Sequence, residues 1–385
     1  MSSQAAKNSS GRQPAAQEAK GPGAGGLDYT LLIPVLLLVG IGVAMVYSAS
    51  CEIALKQYGN EYYFFKKQLI FAAVGCPVML MLAFVPYRLY RSLTYLFLLG
   101  AVALLVAVLV SGAGQTAGGA TRWLRINGLS FQPIEFVKLS LIIFMAYSLS
   151  KKQDRIEELN IGFLPHVIVL CLLSALILLQ PDFGSMAILW MLCWVLMYAG
   201  RVPVRHLAAT FGLIMPLAVY LVVSSEYRLK RYLTFLDPWK YPLDEGYQII
   251  HSLMAFGSGG FLGKGFGQGY QKLFYLPTPH TDFIFSVIGE EGGWLWVLIV
   301  LVLYLVILWR GIEIARCRAD FFGSLMALGI TVTIALQAVV NMGVNLSLLP
   351  TKGLTLPFLS YGGTSLLLNM VLIGILMNIG TTGEK

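Results

Sequence analysis

Apolar residues run along most of this chain in blocks of about 17–22, long enough as helices to cross ~30 Å of hydrocarbon. Short polar segments divide the blocks and hold most of the charges. The pattern predicts about ten spans, at 29–49, 67–85, 92–111, 133–150, 164–180, 183–200, 205–225, 283–309, 324–345 and 358–380. Only Gln180-Pro181-Asp182 separates the fifth from the sixth, which makes a tight turn. The expected fold class is therefore an all-α polytopic membrane protein, and an even number of spans puts both termini on one side.

One connection breaks the plan. Residues 226–282 form a long loop between the seventh and eighth spans, and loops of such length are usually functional. Its composition is not that of a solvated linker. Tyr232, Leu233, Phe235, Leu236 and Trp239 stand together, and Tyr247, Ile250, Leu253 and Met254 recur at helical spacing. A helix with a buried apolar stripe is expected there. Glycines follow at 257, 259, 260, 263, 265, 267 and 269, so the loop is expected to pack on the bundle and roof a cavity.

Composition agrees with a lipid solvent. Apolar residues make up 57% of the chain and charged ones 12%, too few for the coat of a soluble protein of this length. The net charge of +8 is spread in small clusters between spans, which argues against a nucleic-acid partner. Arg88, Arg91, Lys151, Lys152, Arg155, Arg201, Arg205, Arg310, Arg316 and Arg318 collect on one side, so both termini are expected in the cytoplasm. Five cysteines, mostly in or beside spans, give neither a disulfide framework nor a zinc spacing. Residues 1–26 lack an apolar core and read as a disordered cytoplasmic tail, so the first span is an uncleaved anchor. The membrane domain is expected over 27–381, with 382–385 as a cytoplasmic end.

Charges near lipid generally have a function or a partner, and three clusters carry them at the expected outer side. In the first, Arg122-Trp123 and Arg125 precede Gln132-Pro133-Ile134-Glu135 and Lys138. Glu135 and Lys138 share a helix face and can form an internal ion pair. Alternatively Arg122 and Lys138 hold the phosphates of an anionic lipid. The second cluster joins Lys264 and Lys272 to His280-Thr281-Asp282-Phe283 and the paired Glu290-Glu291. Asp282 is either a carboxylate placed in a first turn by the helix dipole or part of a site with Ser286 and Glu290 on its face. The third cluster sets Lys352-Gly353 before Pro357-Phe358-Leu359-Ser360-Tyr361-Gly362-Gly363, either a structural kink or a cavity lining. Phosphate-loop, zinc-protease and serine-elbow motifs are all missing. One carboxylate acting as general base, beside cations that stabilise a phosphate leaving group, is the chemistry these residues support.

Taken in order, these strings resemble the SEDS family of peptidoglycan glycosyltransferases over about residues 27–381. They include Gln180-Pro181-Asp182-Phe183-Gly184, Phe235-Leu236-Asp237-Pro238-Trp239, Gly257-Ser258-Gly259-Gly260, His280-Thr281-Asp282-Phe283 and Leu356-Pro357-Phe358-Leu359-Ser360-Tyr361-Gly362-Gly363. Asp237-Pro238-Trp239 and Leu253-Met254-Ala255-Phe256 resemble the division and sporulation, FtsW-like branch. Departures are Ile134, Thr278 and Gly292, the last expected to loosen the eighth helix by up to ~1 kcal/mol.

The resemblance implies a reaction. Family members polymerise lipid II into β-1,4 glycan strands at the outer face of the bacterial cytoplasmic (inner) membrane. Asp282 matches the family's essential aspartate and is the expected general base. Arg122, Glu135, Lys138, Lys264, Lys272, His280, Lys352 and Ser360 are the expected substrate-binding residues. The resemblance also implies a nascent glycan on undecaprenyl diphosphate, a class B penicillin-binding protein and other division proteins as partners. A septal location follows from the branch. A divalent cation, Mg or Mn, is compatible with the diphosphate, and no organic cofactor is expected. Two other readings use the same lipid: a lipid II flippase and a non-catalytic division scaffold. Charges crowded at the outer side favour the enzyme.

Overall fold

In lipid each span must satisfy its own backbone, so apolar blocks fold as helices. The computed structural model of the chain describes residues 27–110, 114–117, 120–126, 129–243, 246–274, 276 and 278–381. The predicted tail, 1–26, and the end, 382–385, lie outside the described residues. The bundle begins with α1 (Tyr29–Tyr58), α2 (Tyr63–Phe84), the short α3 (Arg88–Ser92), α4 (Thr94–Val110) and α5 (Pro133–Lys151). It continues with α6 (Leu164–Leu178), α7 (Phe183–Ala199) and α8 (Val204–Val223). The long connection contributes α9 (Glu226–Leu236), α10 (Gly246–Gly259) and α11 (Gln271–Phe274). The chain closes with α12 (Ile284–Cys317), α13 (Phe321–Asn345) and α14 (Gly363–Thr381). Among the described residues, eight helical segments are long and apolar enough to cross a membrane, and α4 and α7 are shorter apolar helices. Together they correspond to the ten predicted spans.

The differences have local causes. α1 runs past the predicted end until Gly59, whose left-handed backbone (φ 64) closes the helix on Leu55. α14 starts at Gly363, five residues later than the pattern suggested, because Leu356–Tyr361 is irregular and packed. Between α4 and α5 the polar connection forms a small antiparallel sheet, β1 (Gly114–Ala117), β2 (Ala120–Ile126) and β3 (Leu129–Phe131). Thr364 of α14 ties it down by donating to the Ser130 carbonyl at 2.9 Å.

α12 is the irregular member. Its helix breaks at Gly293 (φ 67, ψ −168), one residue beyond the glycine that the sequence marks as a weak point. The freed backbone groups do not go unpaired. Lys264 N–H and Gly265 N–H donate to the Glu290 and Glu291 carbonyls, each at 3.0 Å. Trp294 N–H and Leu295 N–H donate to the Gly260 and Phe261 carbonyls at 3.0 and 3.2 Å. The glycine-rich loop therefore fills the gap in the helix, and its backbone comes so close that a side chain on Gly263 or Gly293 would strike it.

α10 lies against α12, as a roof helix should. Its buried face overlaps the predicted stripe only in part: Ile250 is buried and Tyr247 and Leu253 are half-buried, but Met254 is exposed, and Ile249, Ser252, Ala255, Phe256 and Gly259 complete the inward face. The small residues decide this, because Ser252, Ala255 and Gly259 let the two helix backbones approach closely. The centre of the bundle is α5, buried over most of its length between α4, α7 and α13, with α2 packed along α14.

Candidate active site

Asp282 stands two residues before α12, half-buried, where the roof loop joins the bundle. Three successive carbonyls fix its main chain. His280 O accepts from Tyr361 N–H at 2.8 Å. Thr281 O accepts from the Ser360 hydroxyl at 2.5 Å. Asp282 O accepts from the side-chain amides of Asn341 and Asn345 at 2.9 and 3.0 Å. This is why the motif around Ser360 is irregular: its backbone and hydroxyl are spent on the neighbouring loop. Gly42 of α1 makes room by letting that backbone cross the helix at Phe358 and Leu359.

The Thr351–Gly353 turn closes the other side. A Cβ on Gly353 would stand 2.8 Å from Asp282 Oδ2, so the bare backbone faces the carboxylate. Next to it, Lys352 reaches across Gly184 to the start of α7, with Nζ 3.5 Å from Ser185 Oγ and 3.8 Å from Asp182 Oδ1. Asp182 also caps α7, accepting from Ser185 N–H at 3.2 Å and from its hydroxyl at 2.6 Å. Two cations of α9 lean on the same place. Arg228 lies over the Phe183 ring at 5.9 Å, and Arg231 donates to the Thr351 carbonyl at 3.5 Å. Asp282, Gly353, Lys352 and Asp182 thus follow one another round a single polar corner.

The remaining candidates are placed elsewhere or inward. Lys264 pairs with Glu290 at 2.9 Å and lies over the Tyr270 ring. Lys272, 3% exposed, pairs with Glu291 at 2.5 Å and donates to Ser48 Oγ at 2.7 Å. Ser48 in turn donates to Glu291. Both glutamates also accept backbone N–H bonds from the glycine-rich loop, at Gly267, Tyr270 and Gln271. The sequence reading groups Ser286 and Glu290 with Asp282 on one cavity, but both are fully buried. Ser286 bonds to Asn345 Oδ1 at 2.6 Å and Glu290 holds the loop. These groups hold the roof to α12 and α1.

Glu135 and Lys138 form the internal pair that their spacing allows, at 2.7 Å with 7% and 5% of the side chains exposed. Arg122 is on β2, and its side chain lies outside the described residues. His280 is 5% exposed, packed on Phe64 (4.5 Å between rings) and Tyr361 (5.5 Å). Burial holds its pKa down at about 4. Ser360, 3% exposed, also accepts from Leu356 N–H, so it braces the loop from within. Among the described residues no three His, Cys, Asp or Glu side chains gather as a metal cage.

Sequence reasoning passed over Asn341 and Asn345, and it named Gly353 only as part of the third cluster, without its contact to Asp282. A signal for the asparagines was present: with Gln337 they form a polar row four residues apart on an otherwise apolar helix, and polar side chains in a span are seldom idle.

Comparison with known proteins supplies the remaining step. Residues 29–385 match the family model for the FtsW, RodA and SpoVE cell cycle proteins. The probable peptidoglycan glycosyltransferase FtsW of Trichlorobacter lovleyi is 48% identical over 352 residues, 91% of this chain and 92% of its own length. The stage V sporulation protein E of Bacillus subtilis is 42% identical over 353 residues, 91% of this chain and 96% of its own. A solved chain from a peptidoglycan synthase complex that coordinates polymerization and crosslinking superposes with a TM-score of 0.76 at 27% identity, covering 92% of this chain and 97% of that one. The rod shape determining protein RodA of Thermus thermophilus gives 0.68 at 26% identity, covering 92% and 96%. With a family model spanning nearly all of the bundle, and close relatives aligned along the same length, this chain belongs to the FtsW/RodA/SpoVE family of cell cycle proteins.

Proposed function

We propose that this chain is a peptidoglycan glycosyltransferase of cell wall synthesis, that it polymerises lipid II at the outer face of the membrane, and that Asp282 is its general base. The observation that carries the reading is the braced position of Asp282. A half-buried carboxylate opens onto a polar corner of a membrane bundle, with three consecutive carbonyls held and a lysine one residue before the glycine that faces it.

In the reaction the acceptor sugar's 4-hydroxyl attacks the anomeric carbon of the growing chain. The new C–O bond forms as the bond to the lipid diphosphate breaks, and the bonding pair leaves with the diphosphate. Asp282 takes the hydroxyl proton, and inversion at the carbon gives a β-1,4 bond. Lys352, with Arg228 and Arg231 beside it, is placed to meet the negative charge of the leaving group. A rigid main chain at Asp282 matters because proton transfer needs the carboxylate within hydrogen-bond reach of the hydroxyl. With no cage of three His, Cys, Asp or Glu side chains among the described residues, a divalent cation (Mg or Mn) would fit in the mode in which one carboxylate and the substrate's phosphates share the ion. Such an ion would neutralise diphosphate charge. Both substrates carry lipid tails, which suits a site at the rim of a membrane bundle.

The same reading includes a class B penicillin-binding protein as partner, cytoplasmic termini and septal work. A solved neighbour from a peptidoglycan synthase complex supports a partner, and relatives named probable peptidoglycan glycosyltransferase FtsW support the division branch. The excess of Lys and Arg in the loops on one side supports cytoplasmic termini. The deciding experiment gives the purified protein, with and without such a partner, fluorescent lipid II and a divalent metal. Wild type is expected to make long glycan strands and a folded Asp282→Ala variant none. Strands from Asp282→Ala would remove Asp282 from the mechanism. Labelled lipid crossing liposome membranes without polymer would favour a flippase.

A further inference from the structure

Asn341 and Asn345 are 1% and 0% exposed on α13, in a span where every amide group must find a partner. Their bonds do not serve their own helix alone. The Asn341 amide spends its two donors on two different loops, on Asp282 O at 2.9 Å and on Leu354 O at 2.5 Å. The Asn345 amide donates to the same Asp282 oxygen at 3.0 Å. Its Oδ1 accepts from Ser286 N–H at 3.2 Å and from Ser286 Oγ at 2.6 Å, in the first turn of α12. Ser252 of α10 donates to the Asn345 carbonyl at 2.6 Å, which brings the roof helix into the same knot.

We infer that Asn341 and Asn345 are positioning residues for Asp282, a clamp on its carbonyl that sets where the carboxylate stands relative to the Lys352–Gly353 turn and the roof. The geometry separates the two tasks. Asn341 ties Asp282 to Leu354, and so to the adjacent Gly353, whose backbone faces the carboxylate. Asn345 ties Asp282 to the start of α12 and, through Ser252, to α10. Neither touches the carboxylate, so neither takes part in proton transfer. Their joint effect is to stop the Asp282 main chain from rotating when substrate lipids enter and leave. The inference rests on Asp282 being the base.

The test uses the full chain with its penicillin-binding partner and fluorescent lipid II, comparing Asn341→Ala, Asn345→Ala, the milder Asn345→Ser, Asp282→Ala, and Asn369→Ala as a control. Asn369 is as deeply buried, but its amide bonds only to Ser365 of its own helix. The clamp variants are expected to lose about 10- to 100-fold in kcat, as for a misplacement of a catalytic group by up to ~1 Å. Their KM should stay within about 2-fold, as expected when only transition-state geometry is lost. Asn345→Ser, which keeps a donor, should fall between Asn345→Ala and wild type. Asn369→Ala should lower the melting temperature by a comparable amount and leave kcat unchanged. Wild-type kcat in the folded clamp variants, or an equal kcat loss in Asn369→Ala, overturns the inference while leaving Asp282 in place. Polymerisation by Asp282→Ala overturns the proposed function, and the clamp with it.

Discussion

Gly353 and Asp282 meet without a gap: a methyl group on Gly353 would lie 2.8 Å from Asp282 Oδ2. The glycine backbone is not in the left-handed region, so alanine is not strained there by its own torsions. The group that must yield is the end of the aspartate side chain, which turns aside easily. Gly353→Ala should therefore change stability by less than about 1 kcal/mol. Polymerisation should nevertheless fall about 10- to 100-fold, because the carboxylate no longer points where the hydroxyl arrives. Thermal unfolding measured beside glycan synthesis checks both halves. Unchanged synthesis would show that the carboxylate has no fixed task.

Lys272 and Glu291 make the opposite case. Both are almost fully buried, 2.5 Å apart, with Ser48 bonded to each. Removing one member leaves a buried charge alone, a loss of about 3–5 kcal/mol. Lys272→Met should lower the melting temperature sharply, and Glu291→Gln added to it should recover much of the loss. Residual activity should follow the folded fraction. A Lys272→Met protein of normal stability but raised KM would return Lys272 to the substrate.

The contrast shows what the sequence disclosed and what it withheld. Span positions were legible because lipid allows few ways to satisfy a backbone, so apolar length alone predicts α5, α7 and α13 within a few residues. Asp282 was legible as a carboxylate at a span's edge under a long loop. Partner choice was not. Lys264 and Lys272 looked like free cations beside a carboxylate, and only the break at Gly293 brings the glycine-rich loop down onto Glu290 and Glu291. The small sheet between α4 and α5 was equally hidden, since its strands are short and mix polar with apolar residues without clean alternation. The row of Asn341 and Asn345 was visible as spacing, but its target, a carbonyl about 60 residues away in the chain, belongs to packing.

His280 gives a pH signature. Its ring is buried between Phe64 and Tyr361, and burial lowers its pKa from 6.5 to about 4. The unfolded chain then binds a proton that the folded chain refuses throughout that window. The contribution of the neutral ring is fully present above pH 6.5 and is lost as pH falls towards 4, on the order of 3 kcal/mol across the window. His280→Phe keeps an aromatic ring and removes the titration. Its melting temperature should fall less than that of wild type between pH 7 and 4.5. Parallel curves for the two proteins would show that His280 contributes nothing to acid sensitivity.

Lys352 and Gly184 supply the last prediction. The lysine side chain crosses the start of α7 directly over Gly184, where any side chain would collide with it, on the way to Asp182 and Ser185. If its charge meets the leaving diphosphate, displacing the lysine should act like deleting it. Gly184→Ala should push aside the flexible end of Lys352 at little cost in stability and still reproduce much of the Lys352→Ala defect in kcat. Loss of one charge-assisted contact in the transition state corresponds to a fall of about 10- to 100-fold. Lys352→Arg should not rescue fully, because the planar guanidinium is bulkier than the ammonium in that slot and presents its donors differently. Steady-state polymerisation by the three variants, each checked for folding, reads the outcome. Gly184→Ala with wild-type kcat beside an inactive Lys352→Ala would mean that the lysine works from a position other than its seat over α7.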